Sequence, residues 1–227
     1  MSSTSMHAAF PMLIDDEAGL IKSFNQAKQF EQPYRYWTLT RCLQEGLIDE
    51  IMSLPFEAAS LEGVSGKREL HNPTRNYFDQ AAIAKFPACA RVARMFQEKS
   101  VTDAIKKRFA AEIDGCFLRI EFAQDVDGFW LEPHTDLGVK KFTYLLYLFD
   151  NAQHRSLGTD IYDENRNWVG RAPYARNAGM IFIPSTKTYH GFEPRPIESV
   201  RTSLVINFVT DAWRAREQLA FPNQPVS

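Results

Sequence analysis

Two histidines and an aspartate are the residues of this chain whose types and spacing could do chemistry. In Glu132-Pro133-His134-Thr135-Asp136, an extended backbone turns residues i and i+2 to one side, so His134 and Asp136 can reach the same cation. A third ligand candidate, His190, follows the apolar run Met180 to Ile183 and the turn-prone Pro184-Ser185-Thr186. Two imidazoles and one carboxylate on one face of an octahedron leave three coordination positions open, an arrangement that suits ferrous iron and oxygen. Structural zinc would want four ligands and usually thiolates. The three cysteines, Cys42, Cys89 and Cys116, are far apart and outside any C-x-x-C pattern.

Arg201 lies eleven residues past His190, at the head of Arg201-Thr202-Ser203-Leu204-Val205-Ile206-Asn207-Phe208. Alternation puts Arg201, Ser203, Val205 and Asn207 on one strand face and Thr202, Leu204, Ile206 and Phe208 on the other. The second set is apolar except for Thr202 and should pack under helices, so the Arg201 face should line an interior. A guanidinium there needs an anionic partner, because an unpaired buried charge is costly. A dicarboxylate ligand could supply one, gripped by the planar fork. A surface acid pairing an edge-strand arginine is the alternative.

Such a site needs elements to position it. Leu43, Leu47, Ile48 and Ile51 at helical spacing predict a helix over Thr40 to Leu54, stopped by Pro55. Residues 60–76 carry Gly63, Gly66 and Pro73 without either period and read as a long loop. Pro87 suits the first turn of a helix running to about Lys99, and Ser100 with Asp103 forms a capping-box pattern ahead of Val101, Ile105 and Phe109. From Cys116 the pattern changes to short β-type runs, Phe117 to Phe122, Lys141 to Phe149, Met180 to Ile183 and Arg201 to Val209. Strands without intervening amphipathic helices predict an antiparallel sandwich or jelly roll, not a doubly wound fold. The expectation is one α+β, mainly β domain over residues 1–227, with helical support over 38–112, a jelly-roll core over 116–210, and a C-terminal helix and tail over 211–227. The segment from Lys67 to Phe78 reads as a lid, with Arg75 and Tyr77 as candidates to touch a substrate.

Lys plus Arg number 26 against 28 Asp plus Glu, and a formal charge of -2 gives no general attraction to nucleic acid or to an anionic membrane. The odd, scattered cysteines suit a reducing compartment, and no secretory leader or membrane-spanning run is read, so cytoplasm is the expected location.

In this order, the residues resemble the iron- and 2-oxoglutarate-dependent oxygenase superfamily, and in particular its prolyl-4-hydroxylase-like branch. The resemblance covers roughly Phe117 to Val209. It implies a double-stranded β-helix, the jelly-roll or cupin-like form, with His134, Asp136 and His190 as ligands of Fe(II). It further implies that Arg201 binds the distal carboxylate of 2-oxoglutarate. The strand Phe142-Thr143-Tyr144-Leu145-Leu146-Tyr147-Leu148 resembles the family strand ending in a Tyr-Leu pair, which makes Tyr147 a second candidate for that carboxylate, with Thr143 on its face and Ser203 beside Arg201. Leu157-Gly158-Thr159 resembles a Gly-Gly-x-Thr turn with one Gly missing, and Asn177-Ala178-Gly179-Met180-Ile181-Phe182 a Gly-Asp-apolar run with the acid missing. Phe122 stands where some relatives carry a Tyr that touches the co-substrate. The activity implied is O2-dependent hydroxylation with release of succinate and CO2, and the carboxylate at Asp136 favours it over halogenation. A small-molecule substrate is expected because the chain shows neither an appended recognition module nor a strongly charged stripe. A peptidyl-prolyl hydroxylase and a non-catalytic sensor of metal or carboxylate are the alternatives.

Overall fold

The computed structural model of this 227-residue chain describes residues 6–62, 66, 74–149 and 155–227, with the side chains of the first helix described from residue 15 onward. The chain opens with helix α1 (Met6–Asn25), then strands β1 (Lys28–Phe30) and β2 (Tyr36–Thr40) and helix α2 (Glu45–Met52). After β3 (Asn76–Tyr77) come α3 (Gln80–Lys85), α4 (Pro87–Gln97) and α5 (Lys99–Phe109). The remaining strands are β4 (Phe117–Asp125), β5 (Leu131–His134), β6 (Lys140–Tyr147), β7 (Asp160–Tyr162), β8 (Trp168–Arg171), β9 (Ala178–Phe182), β10 (His190–Phe192) and β11 (Arg201–Val209).

These strands make two antiparallel sheets. The larger runs β1-β2-β9-β6-β11-β4-β3 and the smaller β5-β10-β7-β8. The period-2 pattern of the long strands decides what each face does. Leu118, Ile120 and Phe122 of β4, Phe142, Tyr144 and Leu146 of β6, and Leu204, Ile206 and Phe208 of β11 share one buried cluster with Phe24, Ile48, Val92, Phe96 and Ile105 of the helices. The opposite face of the same strands, Arg119 and Glu121, Thr143 and Leu145, Arg201, Ser203 and Val205, lines a cavity whose far wall is β5 and β10 of the smaller sheet.

The alternation read for β11 is therefore the one the structure has. Tyr144 belongs to the core, and so does Phe122, stacked near Phe78 and Phe56. Phe122 faces the helices, so this position cannot touch a ligand in the cavity.

Several expectations differ from the structure. The predicted helix over Thr40 to Leu54 shortens to Glu45–Met52, because Tyr36–Thr40 is a strand pairing with β9. Arg41 then turns in the left-handed region (φ 56), and the side-chain carbonyl of Asn177 accepts the backbone N–H groups of Cys42 and Leu43 at 2.7 and 2.9 Å. Those donors are satisfied sideways and do not start a helix. Pro87 does occupy the first turn of α4. The Ser100–Asp103 capping box is not formed: α5 starts at Lys99, Ser100 donates to Glu17, and Asp103 pairs with Lys99 and Lys106. The expected C-terminal helix reduces to one 3-10 turn (Arg216–Gln218), after which Leu219 bridges to Arg119 and the Val226 N–H donates to the Cys116 carbonyl at 2.8 Å. The tail lies against the edge of β4, where Pro222 and Pro225 could not have continued a helix. No helix of the described residues is long and apolar enough to cross a membrane.

Candidate metal centre

His134 ends β5, His190 begins β10, and the two are register partners across the antiparallel pair. That pairing brings their rings to 4.3 Å between centroids, and Asp136 follows two residues after His134. One ligand atom from each of His134, Asp136 and His190 lies within 4.8 Å of the others. The three residues therefore converge on a volume that one metal ion can fill.

The protons are arranged for that role. Nδ1 of His134 lies 2.8 Å from the Glu132 carbonyl, and Nδ1 of His190 lies 3.0 Å from the Thr188 carbonyl. A carbonyl only accepts, so Nδ1–H is the donor on each ring and the lone pair resides on Nε2. This is the orientation that backbone carbonyls give metal-ligating histidines. Burial pushes His190 down to about 4, with the neighbouring His134 adding to the effect, so its ring is neutral at physiological pH. Asp136 is buried, which alone would raise its pKa, yet Lys140, His190 and the Thr143 hydroxyl hold it well below the usual carboxylate range. Thr143 Oγ1 donates to Asp136 Oδ2 at 2.6 Å, and the Lys140 ammonium sits on Oδ1. Lys140 is itself pulled down by burial, more than Asp136 pulls it up. Two imidazoles, each with Nδ1 engaged by a backbone carbonyl, and an ionised carboxylate fit a divalent ion.

The triad opens on a cavity of about 490 Å³, within the range of small-ligand sites. Phe129, Leu131, Leu145, Phe192 and Val205 make apolar walls, while charge gathers at the two ends. Arg201 stands at one end with Ser203 and Thr159. Its Nη1 donates to Asp125 and its Nε donates to the Leu157 carbonyl at 2.6 Å. The Phe192 ring lies 4.8 Å from the guanidinium carbon, and those of Tyr147 and Tyr174 each 5.7 Å. Burial opposes the charge, but Asp125, with Tyr147 and Tyr174, holds Arg201 protonated above its ordinary value. Of the two anions open to Arg201, a bound dicarboxylate and an acid of the protein, the structure shows the second, as the buried Asp125 of the neighbouring strand and not a surface acid. The protein supplies a carboxylate of its own, and a ligand would share the guanidinium with Asp125.

Other sequence candidates are placed as follows. Ser203 lines the cavity beside Arg201. Tyr147 is fully buried behind the wall, and its hydroxyl donates to Thr159 Oγ1 at 2.9 Å and accepts from the Thr159 N–H at 3.2 Å. Thr143 donates to Asp136 and accepts from Asn207 Nδ2 at 3.0 Å, so its hydroxyl is engaged beside the triad. Arg75 enters the cavity wall as a buried ion pair with Glu121, both side chains under a tenth exposed. The Tyr77 ring stands behind it, 5.7 Å from the Arg75 and 4.8 Å from the Arg119 guanidinium carbon. Of the proposed lid, residues 67–73 lie outside the described residues, as do the loop histidines His71 and His154. Gly66 at φ 70 is held at the cavity: its carbonyl accepts from the Glu132 N–H, and Trp130 fills the space where a Cβ would stand.

Arg119, Glu121, Lys140 and Trp213, which no motif singles out, also line the cavity, as does Thr159 of the Leu157-Gly158-Thr159 turn. A signal was present for the first two. In Phe117-Leu118-Arg119-Ile120-Glu121-Phe122, two charges at i and i+2 interrupt an apolar strand, and both belong to the face opposite the core.

No protein-family model and no curated protein matches the sequence. Solved structures do match in fold. A prolyl-4-hydroxylase from Pseudomonas putida aligns over 86% of this chain and 98% of its own, with TM-score 0.55 and 13% identity. A prolyl hydroxylase from Trichoplax adhaerens, in complex with a hypoxia inducible factor oxygen degradation domain peptide fragment, aligns over 95% and 96%, with TM-score 0.55 and 12% identity. The viral collagen prolyl hydroxylase of Paramecium Bursaria Chlorella virus-1, in a 2OG complex, aligns over 77% and 94%, with TM-score 0.51 and 12% identity. The backbone of this chain is similar to that of the prolyl 4-hydroxylases, in agreement with the resemblance carried by its motifs.

Proposed function

We propose that this chain is an iron(II)- and 2-oxoglutarate-dependent dioxygenase that hydroxylates a small-molecule substrate, using a double-stranded β-helix formed by the two facing sheets. The observation that carries the reading is the convergence of His134, Asp136 and His190 at one end of a cavity whose other end holds Arg201. Bound iron with 2-oxoglutarate would supply the oxidising chemistry: one oxygen atom of O2 enters the substrate, the other enters succinate, and CO2 leaves.

The chain's own residues would bind and orient. Carbonyls of Glu132 and Thr188 aim the imidazoles, while Thr143 and Lys140 fix the Asp136 carboxylate. Arg201 would take the distal carboxylate of 2-oxoglutarate with the N–H groups not engaged by Asp125 and Leu157, and Ser203 lies beside it. The apolar walls would exclude water from the reacting centre.

A peptidyl-prolyl hydroxylase is the second reading, favoured by the peptide-bound Trichoplax adhaerens neighbour of the same fold. One experiment tests the class. Anaerobic addition of 2-oxoglutarate to the iron-loaded protein should produce a visible charge-transfer band, and admitting oxygen should release succinate. Both should vanish in His134→Ala and His190→Ala. Succinate formation at the wild-type rate in those variants would refute the proposal, and metal binding without any succinate would indicate a sensor.

A further inference from the structure

We infer that the metal end of the cavity holds a carboxylate-binding subsite built on Lys140 and Arg119, and that the molecule hydroxylated there carries a free carboxylate. The inference rests on the function proposed above and narrows its substrate class.

Lys140 begins β6 with its side chain inside the cavity wall, 16% exposed, and Asp136 is its hydrogen-bond partner. An ammonium kept from water needs an anion beside it. A divalent ion on the triad draws on that same carboxylate and repels the ammonium, so metal loading removes most of the compensation Lys140 has. A second anion delivered with the substrate restores it.

Arg119 supplies the other half. Its side chain is 3% exposed and held by three hydrogen bonds, from Nε to Gln218 at 2.9 Å, from Nη1 to Asn207 at 3.1 Å and from Nη2 to Glu121 at 3.2 Å. The Tyr77 and Trp213 rings, 4.8 and 5.2 Å from its guanidinium carbon, keep its plane in place. A cation fixed in this way loses no rotamer freedom on gripping a ligand. Glu121 divides its charge between Arg119 and Arg75, and Glu132, which with Glu121 and Asp136 makes up the acids of the lining, is on β5.

Trp213 and Val205 offer an apolar wall to the carbon skeleton. A carboxylate held between Lys140 and Arg119 would leave an adjacent C–H bond facing the triad, because Lys140 and the metal share Asp136. An internal residue of a peptide has no main-chain carboxylate to place there and would leave Lys140 and Arg119 with only the Asp136 and Glu121 carboxylates they already share with other cations.

The test uses the full chain loaded anaerobically with iron(II) and 2-oxoglutarate. The charge-transfer band is read first; its absence overturns the oxygenase reading and this subsite with it, and its presence isolates the subsite. Calorimetry then compares free L-amino acids, 2-hydroxy acids and sugar acids, each against its own amide. At least one acid should bind, and more tightly than its amide. Lys140→Gln should lower the acid-to-amide preference on the order of tenfold to a hundredfold, the loss of one charge-assisted hydrogen bond. Lys140→Arg should restore most of the preference. Acids and amides that bind alike, failure of every acid to bind, or a preference that persists in Lys140→Gln would overturn the inference. If Lys140→Gln does not hold iron, the acid-to-amide comparison in the wild type and Lys140→Arg decides. A proline-containing peptide amide that binds more tightly than every acid would instead favour the peptidyl reading.

Discussion

Arg201 and Asp125 are direct partners across the β11–β4 ladder, and in the cavity wall they form an ion pair with both side chains almost fully buried. Arg201→Ala would take the Arg201 cation away from the buried Asp125 carboxylate, a loss expected to cost about 3–5 kcal/mol. The double variant Arg201→Ala/Asp125→Ala should recover much of that stability. Weak 2-oxoglutarate binding should persist in the double variant if Arg201 holds the ligand. Chemical unfolding of the four proteins measures the coupling, and anaerobic titration measures the ligand. Additive stability losses would mean that the pair is not coupled.

Gly158 is a position where any side chain should fail. A Cβ there would lie 1.7 Å from the backbone oxygen of Ala172, and backbone cannot swing aside. The neighbouring Leu157 carbonyl takes the Arg201 Nε, and Thr159 takes the Tyr147 hydroxyl. Gly158→Ala should therefore destabilise by about 3 kcal/mol, at the upper end of ordinary overpacking. It should also displace Arg201. A variant with unchanged thermal midpoint and unchanged 2-oxoglutarate affinity would contradict this packing.

Asp160 of β7 predicts a pH effect on stability. Burial would raise its pKa, but the Glu193 N–H, Arg195, Trp168 and Arg171 together hold it below the ordinary carboxylate value. A lowered folded-state pKa contributes stability that is fully present above the unfolded value of about 4 and is lost as pH falls through the lower folded value. Wild type should accordingly lose more stability than Asp160→Asn between neutral pH and about pH 3. Parallel acid-unfolding curves for the two proteins would rule out this contribution.

All three cysteines are buried and free of disulfides, and burial pushes Cys42 up to about 11, Cys89 up to about 12 and Cys116 up to about 11. Thiolate is the reactive form, so the native protein should resist a thiol reagent at pH 7.5 while three thiols titrate in denaturant. Rapid native labelling of any one of them would show that its site opens.

Local patterns in the sequence carried the parts of this protein that depend on neighbours along the chain. The i, i+2 spacing of His134 and Asp136 put two ligands on one side of the backbone, and strict alternation along Arg201 to Phe208 separated a cavity face from a core face. The long apolar strands were legible for the same reason. The short strands β5, β7, β8 and β10 were not, because three or four residues show no period; they exist through pairing with one another. Tertiary structure alone decided what meets across the sheets. Register between β5 and β10 sets His190 beside His134, over fifty residues away in sequence. Register between β4 and β11 gives Arg201 the Asp125 carboxylate, and packing around β4 assembles Arg75, Glu121 and Arg119 into one cluster. A buried arginine must have an anion beside it, whatever the fold. Which anion it has depends on strand pairing, which is set by the sum of many weak contacts and leaves no local signature.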